Sequence, residues 1–294
     1  MIEDNKDGLS HLIEQELNSS DKILKPDFSQ KAGRELLVYY LQTKFKQVLA
    51  YDNSAPQPVF VEIRYDFLQN FSQRLISNPD KKIMIAITGE SASGKSTICR
   101  SISDVISHFK MPVTILTTDN YFNDISDLIC KYGSFDALRD NGYDVDSPSS
   151  FQLDVLKEDL NNISMGKDIY SPEYQINGTG ISIPKAKFVP SNKIVIVEGM
   201  ASLYDEVKDL FDIKIYVETD IEIRKDRFLK RAYTQRNQPL EEAKKHWDYI
   251  LGAGEKYVKP LRKEADIILN GDTNLAYFCQ VLEYIYTITN NFQQ

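Results

Sequence analysis

Cysteine and histidine are scarce in this chain, with three of each among 294 residues. Cys99, Cys130 and Cys279 form no C-x-x-C pair and leave an odd thiol, so reduced thiols in a cytoplasmic protein are expected. His11, His108 and His246 are scattered and have no metal-ligand spacing. Excess positive charge is missing too. A formal net charge of −8 argues against a nucleic-acid partner, because non-specific binding needs broad cationic surface. No apolar run approaches the ~20 residues that span a bilayer, so no membrane partner is expected. The opening Met-Ile-Glu-Asp-Asn-Lys-Asp-Gly lacks the basic-then-apolar profile of a secretory leader. What is present is 42% hydrophobic and 27% charged residues, enough to build one large domain or a domain with an appendage.

Residues 83–97 carry the strongest local signal. An apolar strand, Ile-Met-Ile-Ala-Ile-Thr, runs directly into Gly89-Glu90-Ser91-Ala92-Ser93-Gly94-Lys95-Ser96-Thr97, which fits the Walker A pattern G-x-x-x-x-G-K-[ST]. Each residue type answers a physical need. Gly89 and Gly94 let the backbone turn and bring its N–H groups to phosphate oxygens. Lys95 supplies a point charge for the terminal phosphates, and the Ser96 hydroxyl is a Mg²⁺ ligand. The helix that follows aims its positive end at the same anion. The loop 89–97 therefore predicts a nucleoside triphosphate, ATP with Mg²⁺. Cys99 falls in that helix, where a small buried side chain is expected rather than a reactive thiol.

From residue 81 onward, candidate strands at 83–88, 113–118, 193–198, 213–218 and 266–269 alternate with candidate helices at 95–109, 150–165, 221–235, 239–254 and 274–290. This predicts an α/β fold with a P-loop NTPase-type parallel sheet flanked by helices on both faces. Residues 81–294 form the expected P-loop domain. Residues 1–80 form an expected N-terminal helical extension of unassigned role. Within it, residues 1–30 read as loosely ordered, and Leu36, Leu37, Tyr40, Leu41, Val48 and Leu49 recur at helical spacing. Val61, Ile63, Phe67, Phe71 and Leu75 read as a second helix ending near Asn78-Pro79-Asp80. The stretches 120–150 and 168–192 read as long functional connections.

Two acids stand at strand ends, where ligands of open α/β sheets gather: Asp119 after 113–118, and Glu198 before Gly199. A carboxylate there can take a hydroxyl proton or hold Mg²⁺; alternatively it caps a loop. Arg224, Arg227 and Arg231 fall at i, i+3 and i+7 on one helical stripe, where like charges repel. A cationic lid over ATP phosphates accounts for them, and so does a solvated helix face.

Further segments occur in a fixed order: Thr-Thr-Asp-Asn-Tyr-Phe (117–122), Asp-Ser-Pro-Ser-Ser-Phe (146–151), Ile-Tyr-Ser-Pro-Glu-Tyr (169–174), Glu-Gly-Met (198–200) and Ala-Asp-Ile-Ile-Leu (265–269). With the phosphate loop and the Arg-rich stretch, this set resembles the uridine–cytidine kinase and phosphoribulokinase family over roughly 81–290. The resemblance implies that Asp119 is the base on a primary hydroxyl and that Ser96 and Glu198, with Asp119 nearby, hold Mg²⁺. It implies that Asp146 grips ribose hydroxyls, that Tyr174 and Phe122 line the acceptor pocket, and that Arg231 and Arg236 join Lys95 in stabilising the transferred phosphate.

The sequence departs from that pattern where the base is read. The family's aromatic before the ribose-binding Asp is Val145 here, its second pocket aromatic is Ile176, and its base-reading His is Thr179. Its lid Arg-Gly-Arg is Arg236-Asn237-Gln238, and the acid after the preceding lid Arg is Ala232. Such changes alter the ligand preference of a hydrogen-bonding site. The expected activity is an ATP-dependent kinase of a small-molecule alcohol, uridine kinase-like in outline. Alternatives are a sugar-like or pantothenate-like acceptor, or a nucleotide-binding regulatory pseudokinase. Homo-oligomer formation is left open.

Overall fold

The computed structural model describes residues 2–19, 31–77, 81–175, 178–236 and 238–290. Its centre is a six-stranded sheet of β1 (Phe60–Ile63), β2 (Ile83–Thr88), β3 (Val113–Thr117), β6 (Ile194–Glu198), β7 (Ile213–Glu218) and β8 (Ile267–Asn270). The spatial order is β1-β8-β7-β2-β6-β3, and every pair is parallel except β1 with β8. A separate antiparallel hairpin joins β4 (Ile169–Tyr174) and β5 (Ser182–Val189).

The strand sequences explain the layering. Successive side chains of a strand point to opposite faces, so a strand covered on both sides must be apolar at every position. In β2, Ile85 and Ile87 enter one core while Met84 and Ala86 enter the other; in β6, Ile194 and Ile196 oppose Val195 and Val197 in the same way. The first core is closed by α2 (Lys31–Asp52), α4 (Lys95–His108) and α10 (Leu275–Asn290), through Leu41, Val48, Ile98, Ile102, Val281 and Tyr284. The second is closed by α7 (Leu153–Ser164), through Leu156, Leu160 and Ile163. Each such side chain contributes roughly 1.5–3 kcal/mol when fully buried. Cys99 is buried within α4, and burial pushes its thiol up to about 12, as expected of an inert packing residue.

Four expectations change. Ile2–Ser19 forms a helix, α1, rather than a loose tail. Leu9 is buried, and the buried Glu16 carboxylate accepts from the Tyr40 hydroxyl and the Lys44 ammonium of α2. Residues 20–30 lie outside the described residues. Val61 and Ile63 do not start a helix: they belong to β1, which adds antiparallel to the sheet edge with Ile63 opposite Ile267. Helix α3 (Tyr65–Ser77) begins only after that strand and carries Phe67 stacked on Phe71, while the side chain of Leu75 and residues 78–80 lie outside the description. The strand is seeded by Asp52, the last residue of α2. Its fully buried carboxylate accepts from the Val59 and Phe60 N–H groups, each at 2.8 Å. A β-branched pair at an edge can satisfy a helical period by accident, and tertiary pairing overrides it here.

The two long connections are also structured. Residues 120–150 contain α5 (Ser126–Tyr132) and α6 (Phe135–Asp140), and 168–192 contains the β4–β5 hairpin. The glycine-rich turn of that hairpin docks on α5, with the Ile125 N–H donating to the Gly180 carbonyl at 2.9 Å. The remaining helices, α8 (Ile221–Arg236) and α9 (Leu240–Ala253), stand over the carboxyl edge of the sheet.

Candidate active site

The phosphate loop follows β2 and folds as a tight cradle. Gly89 adopts φ +152°, and a Cβ there would sit 2.5 Å from the Val217 carbonyl oxygen and 2.8 Å from Ser93 Oγ, so only glycine allows the approach. Thr219 Oγ1 donates to the Ser93 carbonyl at 2.7 Å, and Lys95 Nζ to the Glu90 carbonyl at 3.4 Å. Lys95 opens α4, so its charge and the helix's N–H groups address the same space. Burial pushes the Lys95 pKa down, against the pull of the Asp119 and Glu198 carboxylates and with the push of the Arg231 and Arg224 cations.

Sheet register sets the two strand-end acids beside this loop. Glu198 is paired with Ile87 of β2 on one side and with Thr117 of β3 on the other. Gly199, at φ +132°, then passes so close to the turn after β3 that a Cβ would lie 2.1 Å from Thr118 Oγ1. Asp119 stands in the 3₁₀ turn of residues 118–121, where its N–H donates to Thr117 Oγ1 at 3.3 Å. That turn is anchored by the fully buried Tyr121, whose hydroxyl donates to Asp159 at 2.8 Å. Ser96 Oγ donates to Glu198 Oε2 at 3.0 Å. Among the described residues no cluster of three or more His, Cys, Asp or Glu could hold a metal by itself. A hydroxyl beside a carboxylate, with Asp119 in the same cleft, instead fits Mg²⁺, a hard cation that takes one or two protein oxygens plus substrate phosphates.

These residues open into a cleft of about 840 Å³. Ser91, Ala92, Lys95, Ser96, Asp119, Glu198 and Arg231 line one part of it. Phe122, Asp146, Val145 and Tyr174 line another. Phe122 stacks on Phe151 at 4.2 Å between ring centroids and tilts against Tyr174 at 5.3 Å, which makes an apolar wall. Burial pushes the Asp146 carboxyl above the usual range; Arg139 opposes that, and Asp144 and Asp119 reinforce it.

Several sequence expectations fall elsewhere. Thr179 is exposed on the hairpin turn and does not line the cleft. Ile176 and Asn237 lie outside the described residues, as does the side chain of Arg236. The arginine stripe divides. Arg224 is buried, 3% exposed, pairs with Glu90 of the phosphate loop, and lies over the Trp247 ring at 5.6 Å. Arg227 donates to the Gly271 carbonyl at 3.0 Å and to Asp272 at 2.8 Å. Only Arg231 of the three lines the cleft. The first two are thus ties between α8 and the phosphate-loop region rather than lid cations.

Sequence reasoning also missed residues that line the cleft: Phe135, Arg139, Tyr143, Gln175 and His246 among them. They come from α6, the segment before Asp146, the hairpin and α9, and no local pattern links them. Two aromatic rings, Phe135 and Tyr143, therefore stand in the cleft although Val145 is aliphatic.

A phosphate loop beside two strand-end carboxylates, opening on an aromatic-walled pocket, defines a P-loop kinase, a phosphotransferase with a hydroxyl group as acceptor. The chain belongs to the phosphoribulokinase/uridine kinase family, whose model matches residues 84–274. It is 31% identical over 196 residues to a uridine kinase of Limosilactobacillus reuteri, covering 66% of this chain and 85% of that protein. It is 30% identical over 207 residues to uridine-cytidine kinase A of Dictyostelium discoideum, covering 68% of this chain but only 38% of that protein. The fold is also like that of a solved structure from Silicibacter sp. TM1040, described as a candidate fructose transport system kinase. That match has a TM-score of 0.51 at 17% identity, over 64% of this chain and 89% of that one.

Proposed function

We propose that this protein transfers the γ-phosphate of ATP to the primary 5′-hydroxyl of a nucleoside, uridine or cytidine being the leading acceptors. The observation that carries the reading is the single cleft shared by Lys95, Ser96, Asp119, Glu198 and Arg231 on one side and Asp146, Phe122 and Tyr174 on the other. Relatives named uridine kinase and uridine-cytidine kinase support the nucleoside.

Loop 89–97 binds the triphosphate through backbone N–H groups and Lys95. Asp119 accepts the hydroxyl proton as the oxygen attacks in line, a contribution of about 10²–10⁴-fold. Arg231 and Arg236 hold the phosphate oxygens as charge shifts toward the leaving group. Ser96 and Glu198, with Asp119, would hold Mg²⁺, which would supply positive charge to offset that of the phosphates. Asp146 orients the acceptor by accepting from its hydroxyls, and the Phe122 and Tyr174 rings cover a flat apolar face.

Charge at the acceptor end favours a neutral alcohol. Among the described residues at that end, Asp136 and Asp146 face one cation, Arg139, so a sugar phosphate or a carboxylate such as pantothenate meets repulsion. The test is incubation of purified protein with ATP, Mg²⁺ and uridine or cytidine, with products identified by mass spectrometry. A nucleoside 5′-monophosphate that disappears when EDTA replaces Mg²⁺ is expected. Tight ATP binding with no phosphorylated product from any alcohol would overturn the reading and favour a regulatory pseudokinase.

A further inference from the structure

Arg139 has no part in any motif, yet it occupies a singular position. It belongs to α6, a short helix whose first turn is capped by Ser134 Oγ accepting from the Ala137 N–H at 3.1 Å. Its side chain is only 11% exposed and lines both the main cleft and a smaller cavity of about 310 Å³ behind it. The guanidinium is held from three directions. Nη1 meets Asp136 Oδ1 at 3.3 Å, Nη2 meets His246 Nε2 of α9 at 3.4 Å, and the Tyr249 ring lies 5.4 Å from its carbon. Tyr249 is itself tied back to α6, its hydroxyl donating to Asp140 at 2.8 Å.

This arrangement resembles the support of a binding group more than a surface ion pair. A long side chain loses rotamer freedom when it is clamped this way, and an Asp–Arg contact at i, i+3 returns little. Each Nη carries a second N–H beyond its contact with Asp136 or His246, so the guanidinium keeps donors for an incoming oxygen. The nearby Asp146 feels the Arg139 charge as its main stabilising influence. Across the cleft the Phe122 ring offers no donor and Tyr174 offers an uncharged hydroxyl, whereas Arg139 brings a charged one. Asp146 ionised is acceptor-only, so a hydroxylated ligand held by Asp146 alone would have its own oxygens unserved.

We propose that Arg139 is a specificity-determining residue that binds the phosphate acceptor together with Asp146. The carboxylate accepts from a pair of neighbouring hydroxyls, and the guanidinium fork donates to an oxygen of the same ligand. Asp136 and His246 act as positioning residues that fix the plane of the fork. Because Asp136 and Asp146 balance its charge, Arg139 serves a neutral oxygen rather than a phosphate or carboxylate. The proposal rests on the kinase reading above and adds a recognition residue to it.

The test compares wild type, Arg139→Met and Arg139→Lys in steady-state kinetics with uridine, 2′-deoxyuridine and 3′-deoxyuridine. For Arg139→Met, KM for uridine is expected to rise about 10- to 100-fold while KM for ATP stays within about twofold, the pattern of a lost charge-assisted hydrogen bond to the acceptor alone. Arg139→Lys keeps the charge without the planar fork and is expected to recover only part of the loss. The preference for uridine over one of the deoxy analogues is expected to shrink in both variants, a change that general loosening of the fold would not produce. Both are measured at a temperature below the melting midpoint of each variant. Unchanged KM and unchanged discrimination in Arg139→Met would overturn the inference and leave the kinase reading standing. A wild-type protein that phosphorylates no nucleoside would overturn the reading, and the inference with it.

Discussion

The two halves of the cleft are built in opposite ways. The donor half is local: one strand, one loop and the first turn of α4 supply residues 89–97, and register between β2, β6 and β3 adds Glu198 and Asp119 at the strand ends. The acceptor half is assembled from distant pieces, namely α6, the segment before Asp146, the β4–β5 hairpin and α9. The chemistry explains the contrast. Every acceptor of this phosphate meets the same triphosphate, so one compact cradle suffices; the acceptor end must be shaped to a particular alcohol, and separate elements can be varied independently.

Asp119→Asn breaks the comparison most sharply. It removes the proton acceptor while keeping shape and hydrogen-bonding reach, so turnover is expected to fall about 10²–10⁴-fold. The dissociation constant for ATP, measured by calorimetry, is expected to change far less than turnover, because loop 89–97 and Lys95 carry most of the contacts to the triphosphate. Retained turnover would show that the proton leaves by another route.

The arginine stripe offers the next largest effect. Arg224→Met removes a guanidinium that is 3% exposed and leaves the half-buried Glu90 of the phosphate loop without that partner, which costs up to about 3 kcal/mol of stability. Arg227 pairs with Asp272 at a part-exposed position, and Arg227→Met is expected to cost about 1 kcal/mol or less for the ion pair. Thermal or denaturant unfolding of both variants checks the difference. Equal losses would mean that both arginines are anchored alike and that the division of the stripe is wrong.

A smaller effect is expected from pH. Burial raises the pKa of Asp146, so on acidification it takes up a proton before an ordinary carboxylate does. The neutral acid is a poorer acceptor for ligand hydroxyls, so KM for the nucleoside should climb as pH falls through that raised value while KM for ATP stays flat. Stability moves the other way at this residue. A carboxyl whose folded pKa is raised binds its proton more tightly when folded, so the cost of burying its charge is relieved as pH falls. Asp146→Asn should flatten the pH dependence of the nucleoside KM. A slope that survives the substitution would assign the titration to another group.

The same contrast decides what could be read from the sequence. The strands at 83–88 and 213–218 were legible to the residue because both are short, mainly apolar runs whose central residues, 84–87 and 215–217, are buried on both faces. The phosphate loop was legible because its geometry admits so few residue types, as the space around Gly89 illustrates. β1 was misread because Val61 and Ile63 alternate too briefly for a period of two to stand out, and its existence depends on Asp52 and on pairing with β8. Arg139 and His246 were not legible at all. They are 107 positions apart, and only the docking of α6 on α9 brings them together. The roles of Arg224 and Arg227 were legible as a stripe but not as partners, since Glu90 and Asp272 come from other elements.

The most direct measurement is a competition among acceptors. Wild-type protein is incubated with ATP, Mg²⁺ and an equimolar mixture of uridine, cytidine, pantothenate and ribulose 5-phosphate, and early products are resolved by mass spectrometry. A donor half feeding a neutral, aromatic-walled acceptor half should yield a uridine or cytidine 5′-monophosphate ahead of every anionic product. Preferential phosphorylation of pantothenate or ribulose 5-phosphate would contradict the account of the acceptor half, and no phosphorylated product at all would contradict the account of the whole cleft.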